Sequence, residues 1–122
     1  MRLELPLPIE RYFASKDSQD VLPLAEYFAI DATVRDNGED LELRGLDKID
    51  EWMSRNSGKY KLSTELKSVE QRNGVHVIAA VVSGDFPGSP YEFSYRFTLR
   101  SDKIEELTID PIGPVGASLH NS

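Results

Sequence analysis

The apolar residues in the first quarter of the chain recur at helical spacing. Ile9, Tyr12 and Phe13 stand at positions i, i+3 and i+4, which predicts a first helix. The same spacing recurs from residue 21 to residue 28 and predicts a second helix, for which Asp20 is the expected N-cap. A polar stretch separates the two runs. The pattern therefore indicates two short helices in succession.

The chain then changes to the alternating pattern of a strand over the segment IDATVRD. Ala32, Val34 and Asp36 share one face of this strand, so a carboxylate stands on the same face as two apolar residues. An Asn-Gly turn signal follows, and residues 41–44 form a second short strand. A third predicted helix carries an apolar stripe of Leu46, Ile49, Trp52 and Met53.

The second half of the chain has the spacing of strands and turns. Asn73 begins the clearest hairpin signal, and the nearly continuous apolar run at 75–83 predicts a central strand covered on both faces. Aromatic residues alternate with polar ones over 91–99. A last strand begins at residue 103, and Pro111 is expected to end it.

In chain order these elements predict an α+β fold. Three helices from the N-terminal half would pack on a strongly curved, mainly antiparallel sheet, and a sheet closed by helices in this way encloses a pocket. The length of 122 residues fits one domain, which we place at 1–111 with a loose C-terminal tail at 112–122.

Composition and charge exclude several classes of function. The net charge is −7, from 14 Lys and Arg against 21 Asp and Glu, and this balance opposes binding to the phosphates of nucleic acid. The chain contains no cysteine, so disulfides, thiolate metal sites and cysteine nucleophiles are excluded.

Hydropathy predicts no membrane partner. The longest apolar run, at 77–82, is far shorter than a membrane span, and Glu4 interrupts the place where a signal peptide would have its apolar core. We therefore expect a cytoplasmic protein.

Two groups of motifs carry a resemblance to a known family. The first group consists of residues 27–36 (YFAIDATVRD), Gly45 and residues 49–52 (IDEW). The second consists of residues 86–90 (FPGSP), 95–97 (YRF) and 103–104 (KI). In this order they resemble the SnoaL-like branch of the nuclear transport factor 2-like superfamily, which also contains ketosteroid isomerases and polyketide cyclases.

The resemblance implies a cone-shaped fold around a pocket for a small apolar molecule. It also implies acid/base chemistry of the isomerase or cyclase type without a cofactor, and a homodimer formed through the sheet face. A non-catalytic module that binds a ligand or a protein partner is the alternative within the same fold.

Three residues lie at or near positions that are catalytic in ketosteroid isomerases, and one of them departs from the family's pattern. Asp36 matches the aspartate that acts as general base, and Tyr12 lies near the place of the tyrosine that donates to the substrate oxyanion. The third isomerase group is a protonated aspartate, but its position falls on or beside Tyr95, where no acid occurs. Tyr95 could donate a hydrogen bond in its place. Asp36 could instead cap the turn at 37–38, and Tyr12 could simply pack in the core.

The rest of the predicted site is apolar. No His-Glu-x-x-His pattern or EF-hand spacing occurs, so no metal site is expected. The expected pocket walls are Phe28, Val34, Trp52 and Phe97.

Overall fold

The computed structural model describes residues 5–17, 23–59 and 63–115. Within these ranges the chain forms two α-helices and six strands. None of the helices described there is both long enough and apolar enough to span a bilayer. The elements are α1 (Leu7–Asp17), β1 (Phe28–Asp36), β2 (Leu41–Arg44), α2 (Leu46–Lys59), β3 (Ser63–Arg72), β4 (Val75–Ser83), β5 (Tyr91–Arg100) and β6 (Lys103–Pro114).

The six strands form one mixed sheet in the order β2-β1-β6-β5-β4-β3. The first strand, β1, pairs with the last, β6, and these two run parallel. All other neighbouring strands are antiparallel. Asp36 at the end of β1 lies opposite Ile109 of β6, and Ile109 in turn lies opposite Tyr95 of β5. This register carries a continuous row of side chains across the middle of the sheet.

The two faces of the sheet differ in what covers them. On β4, Ile78 and Ala80 belong to the buried core, whereas Val75, Val77 and Ala79 alternate with them and are only half-buried. The core also contains apolar residues of both helices, which identifies the face that the helices cover. We call this covered face the inner face and the opposite one the outer face.

The prediction of a helix at 21–28 was wrong. Leu24–Glu26 form only one turn of 3-10 helix, and β1 already begins at Phe28. The backbone carbonyl of Tyr27 accepts a hydrogen bond from the Ile104 amide at 2.8 Å, and Phe28 lies opposite Ile104, so β6 fixes the point where β1 begins. Propensity for a short helix is weak and tertiary pairing overrides it. The expected N-cap at Asp20 lies outside the described residues.

The last strand also differs from expectation, because β6 runs past Pro111 to Pro114. Gly113 and Pro114 lie opposite Glu92 and Tyr91, and a register shift between Glu92 and Phe93 accommodates the irregularity. Proline lacks an amide hydrogen but its carbonyl still accepts, so a strand can continue through it next to a bulge. Residues 116–122 of the predicted tail lie outside the described residues.

Candidate functional site

A cleft of about 400 Å³ lies on the inner face of the sheet, beneath the two helices. Exposed residues, including Gly38, Glu39 and Pro87, stand at its rim, so the cleft opens to solvent. The volume suits a small organic ligand. Its lining consists of Tyr12, Lys16, Asp36, Gly38, Glu39, Trp52, Met53, Val82, Phe86, Pro87, Tyr91, Phe93, Tyr95, Ile109 and Pro111.

Asp36 is held in a fixed orientation at one end of the cleft. Its side chain is buried, with 7% of the residue exposed. The indole Nε1–H of Trp52 donates to Oδ2 at 3.3 Å, and the backbone amide of Gly38 donates to Oδ1 at 3.2 Å. Each carboxylate oxygen therefore has one donor, so turn capping and orientation toward the cleft are parts of the same arrangement.

Local backbone geometry places Trp52 against Asp36. Gly45, with a φ of 87°, joins β2 to α2 in a conformation that favours glycine. Its amide donates to the carbonyl of Ala32 at 2.9 Å, which ties the beginning of α2 to β1. Ile49 and Met53 then bury one side of α2 in the core, and Trp52 between them turns its indole toward the end of β1.

Tyr12 and Tyr95 meet across the cleft from α1 and β5. Their ring centroids are 6.2 Å apart, and both side chains are buried. Tyr12 also packs edge-on against Phe28 and Phe97, at 6.2 and 5.6 Å. Its ring is therefore part of the core as well as of the cleft wall.

The structure brings Tyr12, Asp36, Trp52 and Tyr95 together in the cleft, but not the other expected wall residues. Phe28, Val34 and Phe97 are at most 1% exposed and pack in the core beneath it. The ring of Tyr12 on α1 packs edge-on against Phe28 and Phe97 and covers these two residues.

Several lining residues were not anticipated from the sequence. Tyr91 and Phe93 continue the alternation that contains Tyr95, so that pattern could have revealed them. Lys16 and Phe86 have no such signal, because a helix end and a loop reach the cleft only through tertiary packing.

A third buried phenol, that of Tyr27, lies next to the cleft wall. Burial raises the pKa of Tyr27; a hydrogen bond with Ser15 acts in the opposite direction, and the charge of Asp50 adds to the rise. The hydroxyl of Tyr27 also donates to Sδ of Met53 at 3.6 Å, and Met53 lines the cleft. This phenol therefore stays protonated at neutral pH and supports the wall from behind.

Metal ligation has no basis in the part of the chain that the structure describes. There, no three His, Asp or Glu side chains come together as a possible cation site. Asp36 and Glu39 both line the cleft, but the Asp36 carboxylate accepts hydrogen bonds from the indole of Trp52 and the backbone amide of Gly38.

Comparison with solved structures identifies relatives of this fold and sequence. A candidate polyketide cyclase from Sinorhizobium meliloti is 31% identical, with a TM-score of 0.78 over 87% of this chain and 95% of that one. The chain belongs to the SnoaL-like, nuclear transport factor 2-like superfamily. No protein-family model and no curated protein matches this SnoaL-like chain at a significant level.

Two more distant structures share the fold of this SnoaL-like protein. One is a protein with a ketosteroid isomerase-like fold from Catenulispora acidiphila, solved in complex with trimethylamine, at 18% identity and a TM-score of 0.74 over 87% of this chain and 85% of that one. The other is a candidate SnoaL-like polyketide cyclase from Jannaschia, at 13% identity and a TM-score of 0.73 over 99% and 96% of the two chains.

Proposed function

We propose that the cleft binds a small, mainly apolar molecule and that Asp36 acts on it as a general base without a cofactor. The observation that carries this proposal is the buried carboxylate, oriented by Trp52 and Gly38 at the end of an aromatic cleft. Membership of a superfamily with candidate polyketide cyclases and isomerase-like proteins supports the same reaction class.

The chemistry would begin with proton transfer from a carbon next to a carbonyl group. A carboxylate offers about four acceptor positions, and the contacts of Asp36 use two of them, so an oxygen lone pair is available to take the proton. The C–H electron pair moves into the carbonyl and forms an enolate. Asp36 then returns the proton to another carbon in an isomerisation. In a cyclisation the enolate carbon attacks a second carbonyl, and Asp36 returns its proton to the alkoxide that forms.

Stabilisation of the enolate oxygen requires a hydrogen-bond donor. We assign this role to the phenol of Tyr12 or Tyr95, because both rings line the cleft together with Asp36. Substituting either tyrosine with phenylalanine should then slow turnover more than it weakens ligand binding.

Carbon-acid exchange tests the proposal without knowledge of the natural substrate. Cyclic ketones in D₂O exchange their α-protons slowly, and NMR follows the exchange directly. Wild-type protein should accelerate exchange for at least one ketone of a graded panel, and Asp36→Asn should remove the acceleration. The control is Asp102→Asn, which makes the same change at an exposed turn residue. Equal rates for wild type and Asp36→Asn, or no acceleration by wild type, would refute general-base catalysis.

A second candidate is a binding protein without catalysis, and one observation favours it. The residues that β5 contributes to the cleft are Tyr91, Phe93 and Tyr95, so this strand supplies aromatic rings and no acid. Ligand binding without any ketone exchange would support this reading.

We also propose that two copies of the chain pair through the outer face of the sheet. The helices cover the inner face, and β4 presents a row of half-buried or buried apolar residues on the other side. Burial of such a row removes apolar surface from water. The row consists of Val75, Val77, Ala79 and Val81.

A further inference from the structure

Three polar residues on the outer face of the sheet are joined by hydrogen bonds around one carboxylate. Asp110 on β6 accepts from Nδ2 of Asn37 through Oδ1 at 2.6 Å, and from the guanidinium of Arg96 on β5 through Oδ2 at 2.9 Å. None of these three residues lines the cleft. We call them the outer cluster. It ties the turn after β1 to the two neighbouring strands on the face opposite the cleft.

The outer cluster lies directly behind the proposed catalytic groups. Asn37 follows Asp36 in the chain, Arg96 follows Tyr95, and Asp110 joins the two from the strand between them. Successive side chains of a strand point to opposite faces of the sheet. The outer cluster therefore connects, from the outer face, the three strands whose register places Asp36 and Tyr95 in one row on the inner face.

The hydrogen bond to Asn37 acts on the turn that orients Asp36. Oδ1 of Asp36 accepts from the amide of Gly38, and the peptide that carries this amide joins Asn37 to Gly38. Two contacts anchor Asn37 to β6: its backbone amide donates to the carbonyl of Ile109 at 2.9 Å, and its side chain donates to Asp110. Without the side-chain contact the peptide keeps a single anchor, so the carboxylate of Asp36 gains freedom to rotate.

We propose that Asp110 is a positioning residue for the reaction, acting through Asn37 and Arg96 to hold Asp36 and Tyr95 in their reactive arrangement. This inference rests on the proposed function and adds to it a residue outside the cleft. An exposed ion pair contributes little to stability by itself. A catalytic group displaced by about 1 Å, however, can lose roughly a hundredfold in rate. The main effect of Asp110 should therefore be on the orientation of Asp36.

The indole of Trp52 reports this orientation without any substrate. Trp52 is the only tryptophan of the chain, so its Nε1–H gives a single indole cross-peak in a ¹H–¹⁵N NMR spectrum. That hydrogen is donated to Oδ2 of Asp36. Asp110→Ala should move the cross-peak toward its position in Asp36→Ala, in which the acceptor is absent. Asn37→Ala removes the same outer hydrogen bond from the other side and should move the cross-peak in the same direction.

A matched control is available on the same strand. The Glu105 side chain is 34% exposed against 33% for Asp110, and it also pairs with an arginine of β5, Arg100, at 2.9 Å. That ion pair has no contact with the turn after β1. Glu105→Ala should therefore leave the indole cross-peak and the ketone exchange unchanged.

Ketone exchange then measures the effect on the reaction. Asp110→Ala should lower the exchange rate at saturating ketone roughly tenfold with little change in KM, because orientation changes and the cleft walls do not. The inference is wrong if the indole cross-peak stays in place in both Asp110→Ala and Asn37→Ala, or moves equally in Glu105→Ala. It is also wrong if the cross-peak moves and Asp36-dependent exchange keeps its full rate.

Failure here is distinguishable from failure of the proposed function. An unmoved cross-peak in both variants, with intact Asp36-dependent exchange in the wild type, would overturn the positioning role alone. A moved cross-peak in a protein whose wild type exchanges no ketone would overturn catalysis and leave Asp110 as a residue that orients Asp36.

Discussion

The indole of Trp52 donates its hydrogen bond to the carboxylate of Asp36 across 16 positions of sequence, from a helix to the end of a strand. Asp36 is the only buried Asp, Glu, Lys or Arg among the described residues, and Trp52 is the only tryptophan of the chain. The contact joins α2 to β1 at the point where the cleft begins. It therefore couples the stability of the helix to the orientation of the carboxylate.

Trp52→Phe should destabilise the protein by about 1–2 kcal/mol, because a donor to a buried carboxylate is lost while a smaller aromatic ring takes the place of the indole. In the Asp36→Asn background the same change should cost about half as much, since a neutral amide oxygen accepts a weaker hydrogen bond. Urea unfolding followed by far-UV circular dichroism measures all four proteins. Equal costs in the two backgrounds would show that the two side chains are not coupled.

The substitutions Phe97→Ala and Phe93→Ala distinguish a residue of the core from a residue of the cleft by their effects on stability and on ligand binding. Phe97 is fully buried beneath Tyr12, so its truncation should cost about 3–5 kcal/mol in unfolding free energy. Phe93 is half-buried and lines the cleft, so its truncation should cost less than about 2 kcal/mol and instead weaken ligand binding. Urea denaturation and fluorescence titration distinguish the two effects. A larger stability loss at Phe93 than at Phe97 would contradict the assignment.

Stability should fall at high pH because of Tyr27, whose pKa burial raises above its ordinary value of about 10. Below pH 10 the phenol is protonated in both states and its contribution is complete. Above pH 10 the unfolded chain loses this proton first, so stability falls by at most about 1.4 kcal/mol per pH unit. The stability difference between wild type and Tyr27→Phe should be constant from pH 7 to 9 and shift in favour of the variant above pH 10. Urea unfolding at each pH provides the measurement, and a difference that stays constant to pH 11 would contradict it.

Val77→Lys tests the proposed pairing through the outer face. Wild type should elute with a mass twice the 13.7 kDa of one chain in size-exclusion chromatography with light scattering. A lysine in the middle of the apolar row should produce monomers, because the interface would have to bury an unpaired charge. Leu7→Lys makes the same kind of change on α1, away from the outer face, and should remain dimeric. A monomeric wild type would refute the proposal.

The sequence predicted most strands but not all of the helical structure. Alternation depends only on which face of a strand is covered, so the strand from Tyr91 to Arg100 could be recognised locally. The run at 21–28 has helical spacing, but Ala25 within it is exposed, and Tyr27 and Phe28 are buried together as β1 begins. Pairing with β6 decides that conformation, and no local pattern contains it.

In the site, too, some features could be predicted from the sequence and others depend on tertiary contacts. Asp36 and Tyr95 could be assigned to one site because the family resemblance matches both to catalytic positions of ketosteroid isomerases, whereas alternation alone gives only the face on which each lies. The hydrogen bond of Trp52 to Asp36 depends on the angle at which α2 meets β1, which sequence spacing does not encode. Lys16 reaches the cleft through Thr64, 48 positions away, so only the assembled fold brings it there.

The parallel pairing of β1 with β6 has a consequence for how the cleft assembles during synthesis. The carbonyl of Ile109 accepts from the amide of Asn37, and β1 has no partner on that side until the last strand has left the ribosome. Contacts of such long sequence separation form late and slow the search for the native state. The emerging β-hairpins can fold first, whereas the orientation of Asp36 waits for the final strand.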